Sequence, residues 1–171
     1  LAYAFMGFSM MFYRYGMDTA LMKYSVQLNT DNRTAYISSI YILQLFSSII
    51  FSAILYVVKD YVSEPILGAR NPDWVMILAG ILMLDNLWNH HVLLLRAENK
   101  PGSYIFFNLL NVTLTMALNI LFVVKWGLGI KGVLISNLFV SSIVFIFSLP
   151  IVIKRINLSL IKSNVIKDVI I

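Results

Sequence analysis

Three runs in this chain carry no formally charged residue over 22 positions or more: residues 35–58, 103–124 and 132–153. About 20 predominantly apolar residues suffice for an α-helix to cross the roughly 30 Å hydrocarbon layer of a bilayer, so each run is long enough to span. A fourth, residues 74–95, is interrupted only by Asp85. The rest of the composition agrees. Hydrophobic residues make up 60% of the chain and charged residues 12%, with a mean hydropathy of +0.83. Soluble domains run nearer half apolar and a quarter charged. The expected class is all-α, a polytopic membrane helix bundle.

The spans are placed at about 1–27, 34–58, 74–95, 103–124 and 132–153, giving a bundle over 1–153. Residues 154–171 follow, with Leu158, Ile161, Val165 and Val169 on one side and Lys and Asp opposite; this predicts an amphipathic helix lying in the interface. The first segment is interrupted at Arg14-Tyr-Gly-Met-Asp18, and Gly16 between two charges predicts a break at membrane depth. Residues 59–73, punctuated by Pro65, Gly68 and Pro72, read as the longest loop. The chain starts at Leu1 inside an apolar segment with no basic leader before it, so the expectation is a piece beginning part-way through a span, not a signal peptide.

The net charge of +5 raises nucleic acid as a partner, but the basic residues cluster at span ends, which excludes that reading. Alternating loops place Lys23, Arg33, Arg96, Lys100, Lys154, Arg155, Lys162 and Lys167 on one side, and Lys59, Arg70, Lys125 and Lys131 on the other. The more basic side, which includes the C-terminus, is expected to be cytoplasmic. No cysteine is present, so disulfides and thiolate-ligated metals are excluded. The chain holds no GxSxG, GxxxxGK or HExxH, and no enzymatic activity is expected.

Polar residues recur inside the spans at helical spacing. Asn108, Asn111, Thr115 and Asn119 share one face; Tyr41, Gln44, Ser48 and Ser52 share another. Asn137, Ser141 and Ser148 form a third row, and Asp85, Asn89, Val92 and Arg96 a fourth, with His90 flanking it. Serines such as Ser47, Ser48, Ser141 and Ser142 read first as hydrogen-bonding glue between helices. The asparagine row and Asp85 point instead to a shared aqueous path. A formal charge at mid-bilayer costs at least about 2.5–3.5 kcal/mol on insertion scales and so faces a cavity or a partner. Arg14 and Asp18, four residues apart, either neutralise each other or leave a guanidinium fork for phosphate oxygens. His90 and His91 point about 100° apart on a helix, so no metal site is expected; one of them is expected to face a neighbouring helix or lipid head groups.

Three stretches carry a resemblance. YGMDTALMKY (residues 15–24) looks like a Gly-Leu-Asp-x-Ala-x-x-Arg-Tyr segment late in a second span, with Lys23 where arginine is frequent. LLLRAENKPGSYIFFNLLNVTLTMALNILFVV (residues 93–124) resembles a fourth-span exit, basic loop and fifth span. WGLGIKGVLISNLFVSSIVFIFSLP (residues 126–150) resembles a glycine-rich turn and sixth span. Together they are similar to the Wzx-like oligosaccharide flippases of polysaccharide biosynthesis, in the wider group with MATE exporters. The resemblance implies spans two to six of the first six-helix lobe of a MATE-like two-lobe transporter in the bacterial plasma membrane.

It further implies a lipid-linked oligosaccharide as substrate, the bilayer and glycan assembly enzymes as partners, and no bound cofactor beyond H+ or Na+ as a candidate coupling ion. Carried onto this chain, Arg14 and Arg96 would attract the pyrophosphate, with Asp18 beside Arg14. Asn89, Asn108, Asn111 and Asn119 would serve sugar hydroxyls, and Asp85 with His90 would couple a cation or proton. A MATE-type exporter of small organic cations and a membrane-embedded glycan polymerase or ligase are the competing readings.

Overall fold

A glycine between two charged residues ends one helix and starts the next. In the computed structural model, which describes residues 2–27, 30–68, 70–157 and 160, α1 (Ala2–Arg14) stops where Tyr15 and Gly16 turn left-handed, at φ 42° and 72°. Glycine adopts that conformation without the Cβ clash that penalises other residues. The Gly16 carbonyl then accepts from the Thr19 and Ala20 amides and launches α2 (Met17–Gln27). The remaining helices are α3 (Thr30–Leu67), α4 (Pro72–Ala97), α5 (Pro101–Asn119) and α6 (Gly129–Ile153), with a π-helical turn over Ile120–Lys125 between the last two. The described residues form an all-α bundle.

Among the described residues, three helices are long and apolar enough to cross a membrane: Asn32–Leu67, Pro101–Lys125 and Gly129–Ile153. α4 is also long, at 26 residues, but Asp85, Asn86, Asn89, His90 and His91 lower its apolarity below that of the other three. It can carry those groups because it occupies the centre, packed against each of the other five α-helices. Its apolar residues anchor the core: Leu78, Ile81 and Leu82 pack with Tyr13 and Leu134, while Trp88 and Val92 pack with Val140 and Val144. α5 lies at the edge and buries none of its residues. Ile105, Phe106, Leu109, Val112 and Met116 are all exposed along it, as expected where lipid or another membrane surface is the neighbour.

The segment read as a long loop is largely helical. α3 continues nine residues past Val58, through Pro65, and only the stretch from Gly68 to Asn71 connects it to α4. Tertiary burial explains the difference, since Ile66 and Leu67 pack against Val75, with Phe5, Val62 and Trp74 closing the cluster. Lys59, Asp60 and Glu64 ride the same helix on less buried positions. At the C-terminal end, the expected interfacial helix falls mostly outside the described residues; those that are described, 154–157 and 160, follow α6 without continuing it.

Candidate functional site

The helix break at Gly16 frees backbone groups inside the bundle, and a buried amide answers one of them. Asn86, 1% exposed on α4, donates through Nδ2 to the Tyr13 carbonyl oxygen at 3.1 Å and to Ser48 Oγ at 2.8 Å. Its Oδ1 accepts from Gln44 Nε2 at 2.6 Å. Ser47 Oγ donates to the same Tyr13 oxygen, and the Tyr13 hydroxyl meets Ser52 at 2.9 Å. The polar row of α3 is therefore consumed by contacts to α1 and α4. It does not border an aqueous path; it ties three helices together at the break, the role read first for Ser47 and Ser48 from the sequence.

Deeper along the same seam, both rings of the histidine pair lie against Tyr41, with centroids 5.6 Å away for His90 and 5.5 Å for His91. His91 engages Ser148 Oγ through Nδ1 at 2.8 Å and the Tyr41 hydroxyl through Nε2 at 3.1 Å. His90 has neither ring nitrogen bonded among the described residues. Both histidines are 0% exposed, so neither reaches lipid head groups, because α4 is packed on several sides by the other helices. No group of three or more potential metal ligands occurs among the described residues.

On the other side of α4 the rows do converge. Asp85, Asn111, Thr115, Asn119, Asn137 and Ser141 line a groove of about 410 Å3 between α4, α5 and α6, with exposed Val112 and Met116 at its lip. Asp85 Oδ1 accepts from Trp88 Nε1 at 2.8 Å and Ser141 Oγ at 2.5 Å, leaving Oδ2 without a side-chain partner among the described residues. Asn111 Oδ1 accepts from Thr115 Oγ1 at 3.3 Å, and Asn119 Oδ1 accepts from Ser136 Oγ. Asn137 donates its Nδ2 to the Val133 carbonyl at 2.8 Å. What remains free is complementary: the NH2 donors of Asn111 and Asn119, the amide oxygen of Asn137 and one carboxylate oxygen. Such an alternating set suits a ligand rich in hydroxyl groups.

The other expected site residues scatter. Arg14 Nη1 pairs with Asp18 Oδ2 at 3.3 Å across the helix break, and its charge is within electrostatic reach of Asp85. Asn108 donates to the Tyr104 carbonyl of its own helix at 2.8 Å and does not line the groove. Asn89 is half-buried and His90 faces Tyr41, so neither shares Asp85's surroundings. Arg96 is exposed at the far end of α4, in a separate basin. Asn86 and Ser136 are the residues that periodicity missed; the unmatched Gln44 and Ser48 on α3 were the signal that a buried amide had to face them.

A family model described as polysaccharide biosynthesis protein matches residues 1–170 of this chain. No curated protein and no solved structure matches it.

Proposed function

Because this chain belongs to the polysaccharide biosynthesis protein family, we propose that it flips a polyprenyl-pyrophosphate-linked oligosaccharide across the bacterial plasma membrane for surface polysaccharide assembly. The observation that carries the reading is the groove of Asp85, Asn111, Asn119 and Asn137, whose unpaired donors and acceptors match sugar hydroxyls. Its exposed apolar lip would let a lipid tail stay in the bilayer while the sugars occupy the polar wall. Arg14 supplies the cationic fork for pyrophosphate, held in place by Asp18. Asp85, the groove's one formal charge, binds the coupling cation or proton, with His90 as a second coupling candidate.

In the full-length protein, Arg14→Ala and Asp85→Asn should each sharply lower surface-glycan export at normal expression. Wild-type export from both would refute the roles. A second reading follows from the sign of the groove's charge: a lone carboxylate also suits export of small organic cations by a MATE-type antiporter. Rescue of drug tolerance, but not of glycan export, in a strain lacking both would favour that alternative.

A further inference from the structure

The more basic end of the bundle holds a second concavity with different chemistry. Arg33, Arg96, Lys100, Lys154 and Arg155 surround an open basin of about 810 Å3 in which Glu98 is the one carboxylate among the described residues. Glu98 engages three of the five. Arg155 grips it with Nε on Oε1 and Nη2 on Oε2, Lys100 Nζ lies 2.9 Å away, and Arg33 lies 3.6 Å away. Arg96 and Lys154 have no side-chain partner among the described residues.

Helix ends alone do not account for this much positive charge. The C-termini of α2, α4 and α6 and the N-termini of α3 and α5 meet at this end. At about half a charge each, they sum to roughly −0.5. Five cations against one carboxylate give +4, so an excess of roughly 3.5 charges remains after the helix dipoles are served. The basin also has an apolar rim, with Met22 and Val26 of α2 lining it and Val26 exposed. A soluble anion would have no use for that rim, whereas a membrane lipid would lay its chains along it.

We propose that this basin binds the phosphodiester head group of an anionic membrane phospholipid, with preference for one carrying two phosphates. Basic pockets between membrane helices at the cytoplasmic side recognise such head groups in general. In this arrangement Glu98 is a positioning residue. It fixes the Arg155 fork and holds Lys100 and Arg33 at the rim, while Arg96 and Lys154 meet the phosphate. No residue is shared with the Asp85 groove, so the proposal does not rest on the transport reading.

The test is native mass spectrometry of the full-length protein in neutral detergent, with cardiolipin, phosphatidylglycerol and phosphatidylcholine added in turn. Retention in the order cardiolipin, phosphatidylglycerol, phosphatidylcholine is expected. The double variant Arg96→Gln/Lys154→Gln should lower cardiolipin retention by roughly tenfold or more, and Arg96→Lys/Lys154→Arg should restore it. Equal retention of phosphatidylcholine, or an unaffected glutamine double variant, would overturn the proposal. Displacement of cardiolipin by inorganic pyrophosphate alone would reassign the basin to a free anion, and displacement by a polyprenyl pyrophosphate at equal concentration would reassign it to the transported lipid. Either result also overturns the phospholipid assignment.

Discussion

Asn86 Nδ2 donates to the backbone oxygen of Tyr13 at 3.1 Å, joining residues 73 positions apart across the helix break. The same amide serves Ser48 and Gln44, so its removal leaves the buried Gln44 amide group with no partner and takes one of two hydrogen bonds from both Ser48 and the Tyr13 oxygen. Each such group costs about 1–3 kcal/mol in water-soluble proteins. Inside membranes the mean is nearer 0.6 kcal/mol, because the unfolded reference also finds partners. We expect Asn86→Ala to destabilise by about 1–3 kcal/mol, read as a lower Tm of the full-length protein in detergent. Asn89→Ala is the control. That side chain is half-buried and makes no hydrogen bond among the described residues, so its Tm should move little.

Gly132 is needed for a different reason, close approach. A Cβ at this position would sit 2.9 Å from Leu128 Cβ and 3.1 Å from the Phe122 carbonyl oxygen. That carbonyl belongs to the π-helical turn and accepts the Leu128 amide, so it cannot retreat without disturbing the turn into α6. Gly132→Ala should therefore cost about 1–3 kcal/mol, the usual range for overpacking. Gly102→Ala offers the contrast, since nothing lies within 4 Å of its added carbon. A Gly132→Ala protein with unchanged Tm would mean that the α5–α6 junction is more compliant than its packing indicates.

The helix break and the inward rows were legible because both are local. A glycine flanked by Arg14 and Asp18 interrupts an apolar run in a way few other arrangements do, and one hundred degrees per residue phases Asn111, Thr115 and Asn119 without any knowledge of neighbours. Which row meets which helix was not legible. Periodicity gives angles within one helix and nothing about the rotation of the next. The α3 row and the α5 row thus looked alike, although Gln44 and Ser48 are tied up by Asn86 while Asn111 and Asn119 border open space. The length of α3 was hidden for a related reason. Pro65 and Gly68 are strong local stop signals, but the burial of Ile66 and Leu67 against Val75 is tertiary and outweighs them up to Gly68.

Glu98 sets an acid limit on the basic end. The Arg155 fork bonded to its carboxylate is the main cause holding its pKa down at about 2, from an ordinary 4.5. A carboxyl whose folded pKa is depressed adds stability above its unfolded value and loses it as pH falls towards the folded one. Stability from this cluster should be complete above about pH 4.5 and decline between about 4.5 and 2. Glu98→Gln should lower Tm at neutral pH and flatten its dependence on pH across that acid window. A variant that keeps the wild-type acid slope would assign the loss to other carboxyl groups.

Adjacent residues His90 and His91 should respond in opposite ways to the same substitution. His91 bonds Ser148 and Tyr41 from α6 and α3, so His91→Leu leaves the Tyr41 hydroxyl unanswered in the bundle core, leaves Ser148 only its bond to the Phe145 carbonyl, and should destabilise by about 1–3 kcal/mol. His90 is equally buried, yet its two ring nitrogens have no partner among the described residues, and a leucine there removes a desolvated polar ring rather than a bond. Replacing an unsatisfied polar group by an apolar one of similar size is near neutral or stabilising. His90→Leu should thus leave Tm unchanged or raise it. The same variant separates packing from coupling. If His90 moves a proton during transport, glycan export will fall in a protein of undiminished stability; if the ring only fills space beside Tyr41, export will match wild type and the coupling role passes to Asp85 alone.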